Sequence, residues 1–417
     1  TLIYAGTFTN IDYIANVLNE NNPDLFIRLL DDFSDWLVHN YHPDYILAKL
    51  VKKGIGIHNG QLHRSLSQIQ VKLFEELEGL ENIISTSSII EGVNTSAENV
   101  IIWANKNGKP RLNDFTYRNI VGRGGRMFRH FIGKVYLLEE PPLPEATQLN
   151  LEFTDDLLNS LDEVKHKNEL TRDQIVKIIA FKEEMSSVLG EGVYAEMSKE
   201  NTFQSFNSEK LKEIAIDMYR NPNGWNGLAY LNSNNPNDWD SNLFKVLNFM
   251  GGVGASYTDM VAFIKAISYN WHRPISQIIA NLRSNGVTIE KFFELERGAS
   301  FKVATVLSDI NHLQKRILKN PQIDIYPFIA KLSNAFLPQV VFQLEEYGLP
   351  RMISKKIQMS ELLNFENKEL DIHSVIERFN EIGKNMLKSG IQNLHPFESY
   401  ILDYFYEGIS SNQNRKK

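Results

Sequence analysis

Arg123 and Arg126 lie three residues apart in the glycine-rich stretch Asn119-Ile-Val-Gly-Arg-Gly-Gly-Arg126. A guanidinium is always charged, and its planar fork matches pairs of phosphate oxygens. Glycines between the two let the backbone turn tightly and leave room for a ligand to approach. Set behind a hydrophobic strand, such a pair can reach a nucleotide's terminal phosphate from outside. The same turn taken alone is also compatible with a solvated basic loop, so its neighbours in sequence decide how it is read.

Much other chemistry is excluded. No Gly-x-x-x-x-Gly-Lys-Ser/Thr loop occurs: Gly108-Lys109 is followed by Pro110, Gly133-Lys134 by Val135 and Gly383-Lys384 by Asn385. That loop, with a carboxylate for magnesium, is one way in which a chain cradles nucleotide phosphates by itself, and it is missing here. Asp162-Glu-Val-Lys165 looks like an Asp-Glu box but sits in a helical pattern after the arginine turn, which reads as a solvated helix face. There is no cysteine, which removes disulfides, thiolate metal sites and a cysteine nucleophile. No metal-ligand set is expected, and there is no dinucleotide fingerprint.

The elements that must position these arginines are short apolar strands alternating with helices. Leu2-Ile-Tyr-Ala5, Gly54-Ile-Gly-Ile-His58, Asn82-Ile-Ile-Ser-Thr86, Asn99-Val-Ile-Ile-Trp103 and Lys134-Val-Tyr-Leu-Leu138 read as strands. Strands without polar alternation, separated by helical patterns, predict an α/β fold whose parallel sheet is covered by helices on both faces. Ligands then gather beyond the carboxyl ends of the strands. Asn10 is expected to cap a helix that turns Ile11, Ile14, Ala15 and Leu18 inward. Further helices are expected over Phe33 to Lys53 and through Leu66, Ile69, Leu73 and Leu77.

Four of these segments, in order, resemble the second RecA-like domain of superfamily 2 helicases, and most of all the Ski-type DExH branch. Thr1-Leu-Ile-Tyr-Ala-Gly-Thr7 resembles motif IV. Gly54-Ile-Gly-Ile-His-Asn-Gly-Gln-Leu62 resembles an element of that branch with two adjacent histidines, the second replaced by Asn59. Ser85-Thr-Ser-Ser-Ile-Ile-Glu-Gly-Val-Asn94 resembles motif V, and Asn119 to Arg126 motif VI, with Asn119 where the family has glutamine. The resemblance implies a RecA-like lobe and a chain that is the carboxyl-terminal half of an ATP-dependent nucleic-acid helicase or translocase. It implies Arg126 as arginine finger, with Arg123 and Asn119 beside it as catalytic residues. Gly92, Asn94, Arg123 and Arg126 are then nucleotide contacts, and Thr7, His58, Thr86 and Ser87 touch the nucleic acid. ATP and Mg2+ would be held mainly by an upstream RecA-like domain, so this piece alone is expected to be inactive. Thr1 opens directly inside a strand-like run, which reads as a fragment or a processed product. Glu91 is either a surface charge or a group coupling the two ligand sites, and His58 is either a nucleic-acid contact or a strand-end residue satisfied by backbone. An alternative is a non-motor nucleic-acid-binding or regulatory module on the same lobe, for which Asn119 and Asn59 leave room.

Beyond Glu139-Glu-Pro-Pro-Leu-Pro144 the pattern turns helical, because the prolines allow neither helix nor inner strand to continue. The expected division is 1–140 for the RecA-like domain, 141–240 for a helical, winged-helix-like connector and 241–417 for a helical carboxyl-terminal domain. Helices are expected over about 155–167 and 171–190, from Pro274 to Arg283, after a Ser300 cap, and from Pro396 to Tyr406, with Ser410 to Lys417 frayed. Ski-type helicases carry helical domains that guide the strand. Lys302, Lys315, Arg316, Lys319, Arg273 and Arg283 are candidates for that here, and Trp225, Trp239 and Trp271 for base stacking; the alternative, which the residue types favour, is that the lysines are ordinary surface and the tryptophans pin loops. Phe342 to Arg351 resembles a segment of bacterial antiphage helicases of the Hachiman type, which implies a defence effector subunit as a partner. The 417 residues carry a net charge of -7, so no global basic field advertises nucleic acid and any strand track must be local. No signal peptide or membrane-length apolar run is present, and a cytoplasmic location is expected.

Overall fold

Leu2, Ile3 and Tyr4 are all buried, as a strand covered on both faces requires. The computed structural model describes residues 1–89, 97–125, 133–143, 172–199, 208–251, 255–282, 286–318, 323–367 and 369–414. It contains β1 (Leu2–Tyr4), β2 (Ile55–His58), β3 (Asn82–Ser85), β4 (Asn99–Ile102) and β5 (Lys134–Leu137). All neighbours are parallel in the order β2-β3-β1-β4-β5. This is the expected α/β architecture, a parallel sheet flanked by helices and followed by a mostly helical region. Leu2, Tyr4, Ile83, Val100 and Ile102 form the centre of the core, joined by Ile89, Ala97, Leu112 and Ile120.

The loop after β1 needs a glycine. Gly6 has φ +77, and a Cβ there would stand 2.6 Å from the Lys106 carbonyl oxygen. The same loop is tied by Gly108 N–H donating to Gly6 O at 2.9 Å and Tyr4 OH donating to Lys106 O at 2.8 Å. The helix Phe8–Asn21 that follows is capped by Thr7, whose Oγ1 accepts from Asn10 N–H at 3.1 Å. Asn10, expected as the cap, instead sends Nδ2 back to Ala5 O at 2.8 Å. Phe33 to Lys53 divides into helices Arg28–Asn40 and Ile46–Val51, and the next helix is Arg64–Glu75.

Residues 1–148, 272–277 and 338–417 form one compact unit, in which the last stretch of chain returns to the sheet's helices. Phe397 stacks on Phe33 with ring centroids 4.4 Å apart. The helix Pro396–Asn414 brings in Glu398, a fully buried carboxylate. Lys356 Nζ reaches it at 2.6 Å, His395 N–H at 2.9 Å and Trp36 Nε1–H at 3.3 Å. A second buried pair, Arg351 with Glu345, is bidentate at 2.8 and 2.9 Å and fixes the turn between Gln339–Glu346 and Arg351–Met359.

The other unit, 149–271 with 278–337, is helical in its described residues. Two of the three tryptophans expected to stack bases are spent on packing. Trp225 is fully buried against Phe249, donates to Asp217 at 2.7 Å and has Lys245 Nζ 3.9 Å above its ring. Trp239 is buried between Phe328 and Phe336 and donates to Ser233 O at 3.0 Å. Lys315 pairs with Asp324 and Arg316 with Glu196, at 2.9 and 3.1 Å. Ser300 caps nothing: it is buried in the wide turn Gly298–Val303 that joins helices Ile289–Arg297 and Ala304–Ile317. The helix expected over about 155–167, with Asp162 to Lys165, lies outside the described residues, as do Arg283 and Lys319. The last helix runs on to Asn414, through most of the stretch expected to fray.

Candidate functional site

The sheet places the candidate residues at two opposite edges. Thr7, His58, Thr86 and Ser87 follow or end β1, β2 and β3, so all four lie at the carboxyl edge. Their grouping follows from the register, in which Tyr4 pairs with Ser85 and Ser85 with His58. Three adjacent parallel strands therefore end side by side.

Thr7, Thr86 and Ser87 are half-buried, but His58 is only 2% exposed. Its carbonyl accepts from Thr86 N–H at 3.3 Å. Its Nδ1 stands 3.0 Å from Ser88 Oγ, and Ser88 Oγ stands 3.4 Å from Thr86 Oγ1. Nε2 is buried and has no hydrogen-bond partner among the described residues. Burial lowers the His58 pKa to about 4, with the positive charge of Arg64 as the second cause. His58 is thus a neutral imidazole at neutral pH, in a place where a ligand cannot touch it directly.

Two neighbours escaped the sequence reading. Ser88 lies two residues beyond Thr86, and its own signal in the sequence was only a run of hydroxyls. Arg64 opens the helix Arg64–Glu75 just past the His58 loop and pairs with Glu346 at 3.3 Å. Gln68 on the same helix donates to Glu346 O at 2.9 Å. Nearby in sequence, Tyr41 OH and His63 Nδ1 are 3.2 Å apart, so His63 belongs to a packed pair.

The arginine turn stands at the other edge. The helix Asp114–Val121 is capped by Asn113, whose Oδ1 accepts from Thr116 N–H at 2.8 Å, and is braced by an Arg118–Asp114 pair at 2.8 Å. It carries half-buried Asn119 and delivers the chain to Arg123, also half-buried. Arg123 O accepts from Ala97 N–H at 3.0 Å, and Gly125 N–H donates to Ala97 O at 3.1 Å. Ala97 precedes β4, so this turn is fastened to the amino edge of the sheet. Its glycines have a visible purpose. Gly125 has φ +67, and a Cβ on Gly133 would stand 2.5 Å from the Gly124 carbonyl carbon. Arg126, Gly92, Asn94 and Glu91 lie outside the described residues.

A strand of four residues is about 13 Å long. The backbones of the Thr86 turn and of Arg123 are therefore separated by roughly one strand length. Among the described residues no group of three His, Asp or Glu could hold a metal ion. No described helix is long and apolar enough to cross a membrane.

No family model matches the sequence. The chain is 36% identical over 151 residues to Anti-bacteriophage protein B of Escherichia coli K12, covering 34% of this chain and 21% of that protein. It is 28% identical over 148 residues to a probable ATP-dependent helicase of Methanocaldococcus jannaschii, covering 33% of this chain and 18% of that protein. The alignments span about a fifth of each relative's length. Over about a third of its own length, then, this chain is similar to a helicase and to an antiphage protein.

Proposed function

We propose that this chain is part of an ATP-dependent nucleic-acid helicase or translocase of the Ski-type DExH branch, acting in antiphage defence. The observation that carries the reading is the ordered set of four motif-like segments in the sequence, whose described residues put hydroxyls at one end of the parallel strands and Arg123 at the other. Similarity to a helicase and to an antiphage protein supports it. In this reading the turn Thr86–Ser88 meets a strand phosphate through hydroxyls and backbone amides, the groups that position a protein on a nucleic-acid backbone. Arg123 and Arg126 serve the nucleotide, and Asn119 stands beside them. ATP supplies the phosphoryl group whose transfer to water drives movement, and most of its binding comes from an upstream RecA-like domain of the same protein.

The test is Arg126→Ala in the full-length protein. Loss of an arginine finger removes about three to five orders of magnitude in turnover. Nucleotide binding, followed with a fluorescent ATP analogue, stays within a few fold of the parent. Turnover equal to the parent's would sink the assignment.

A further inference from the structure

His58 ends β2 at the carboxyl edge of the sheet. A resemblance-based reading makes it a nucleic-acid contact, yet at 2% exposure it offers a strand no surface. It is bonded instead to the turn that follows the neighbouring strand, through its carbonyl to Thr86 N–H and through Nδ1 to Ser88 Oγ. Stability alone does not explain a histidine there. A buried nitrogen without a partner is destabilising, and an apolar side chain of similar size would avoid it.

We infer that His58 is a positioning residue: its Nδ1–H donates to Ser88 Oγ and so aims the Ser88 hydroxyl, and the Thr86–Ser87–Ser88 turn, at a nucleic-acid phosphate. The inference rests on the functional reading above and replaces a contact role for His58 with an indirect one. The direction of the hydrogen bonds follows from the ligand's chemistry. A phosphate only accepts, so Ser88 must keep its own proton free to donate, and the bond from His58 must arrive at the Ser88 oxygen. That assigns the proton to Nδ1. Nε2 is then a bare lone pair, a smaller penalty in an apolar site than an orphaned N–H. A neutral ring suits the task, because it orders the hydroxyl without placing a charge that would pair with the phosphate itself.

The experiment uses the full chain with fluorescein-labelled oligothymidylate and oligouridylate, read by anisotropy over a salt series. His58→Asn keeps a donor near the Nδ1 position, while His58→Leu fills the space without one; circular dichroism melts confirm that each variant is folded. His58→Leu is expected to weaken binding about tenfold, the size of one lost hydrogen bond to a charged group. His58→Asn should recover most of that loss. In a Ser88→Ala background, His58→Leu should cost nothing further, because the two act through one hydroxyl. The slope of affinity against salt should stay the same throughout, since no cation is removed. The nitrogen-15 shifts of His58 should report the Nδ1–H tautomer. Binding of His58→Leu equal to the parent's, a fully multiplicative double variant, a slope that falls by about one, or an Nε2–H tautomer would each overturn the inference. If the parent binds neither oligonucleotide, the functional reading fails first and takes the inference with it.

Discussion

Lowering the pH from 7 to 5 should destabilise the sheet unit through His58, and the size of the effect follows from its burial. The ring's pKa falls from 6.5 in an open chain to about 4 in the fold. The unfolded chain therefore takes up a proton as pH drops through 6.5, while the folded one does not until about 4. Folding stability is lost across that window as pH falls, and below about 4 there is no further loss. One pKa unit corresponds to about 1.36 kcal/mol, so the window as a whole is worth about 3 kcal/mol, of which about 2 kcal/mol is lost between pH 7 and pH 5. Carboxylates titrate nearby and would blur a single curve. Urea unfolding of the parent and of His58→Leu at matched pH removes them, since only the difference between the two proteins belongs to His58. The parent should lose about 2 kcal/mol more than the variant between pH 7 and pH 5. An NMR titration of the ring gives the same answer directly, with an inflection near 4. Parallel stability curves, or an inflection at the pKa of a free histidine, would refute the claim that this ring is buried and neutral.

Two other perturbations test the frame that holds the site. Lys356→Met leaves the Glu398 carboxylate fully buried with only the His395 and Trp36 N–H groups as donors, which should cost about 3 kcal/mol. Urea unfolding measures it, and adding Glu398→Gln should restore much of the loss. Gly6→Ala forces a side chain into a left-handed backbone 2.6 Å from Lys106 O, so it should lower stability by more than about 1 kcal/mol. A melting temperature equal to the parent's would show that the loop relaxes freely.

The strands were legible because each is a short run of apolar residues bounded by turn chemistry, and such runs admit few alternatives when helical patterns separate them. Cap residues were less legible. Thr7 and Asn10 are both good caps, and only the packing of Ile11 and Ile14 decides that the helix begins at Phe8. Ser300 precedes an apolar periodic run and looks like a cap, but Gly298, Ala299, Ser300 and Val303 are buried and the helix continues through them. The return of the last helix to the sheet unit left no local trace. Phe33 and Phe397, or Trp36 and Glu398, meet across more than three hundred residues, and nothing in either segment names its partner. In the candidate site, residue types at Thr86 and Arg123 suggested phosphate chemistry, while burial could not be read. A histidine at the end of a strand looks the same in sequence whether it faces a ligand or props up a neighbour.

The two edges of the sheet are joined by a continuous set of backbone pairings. Arg123 and Gly125 bond to Ala97, two residues before β4; Val100 in β4 pairs with Leu2 in β1; Tyr4 in β1 pairs with Ser85, the residue before Thr86. Every strand in that path has three or four residues, and the side chains between them are almost all buried. Such a core resists internal deformation because there is little empty volume to deform into. Under the proposed reading, a pull on the arginine turn would then be felt at the Thr86 turn as displacement of the whole lobe, not as a rearrangement passed from residue to residue. Movement of a bound strand would come from this lobe shifting as a body against the one that holds the nucleotide. Under that reading the properties the sheet must supply are stiffness and separation, with the two ends of its buried strands held about one strand length apart.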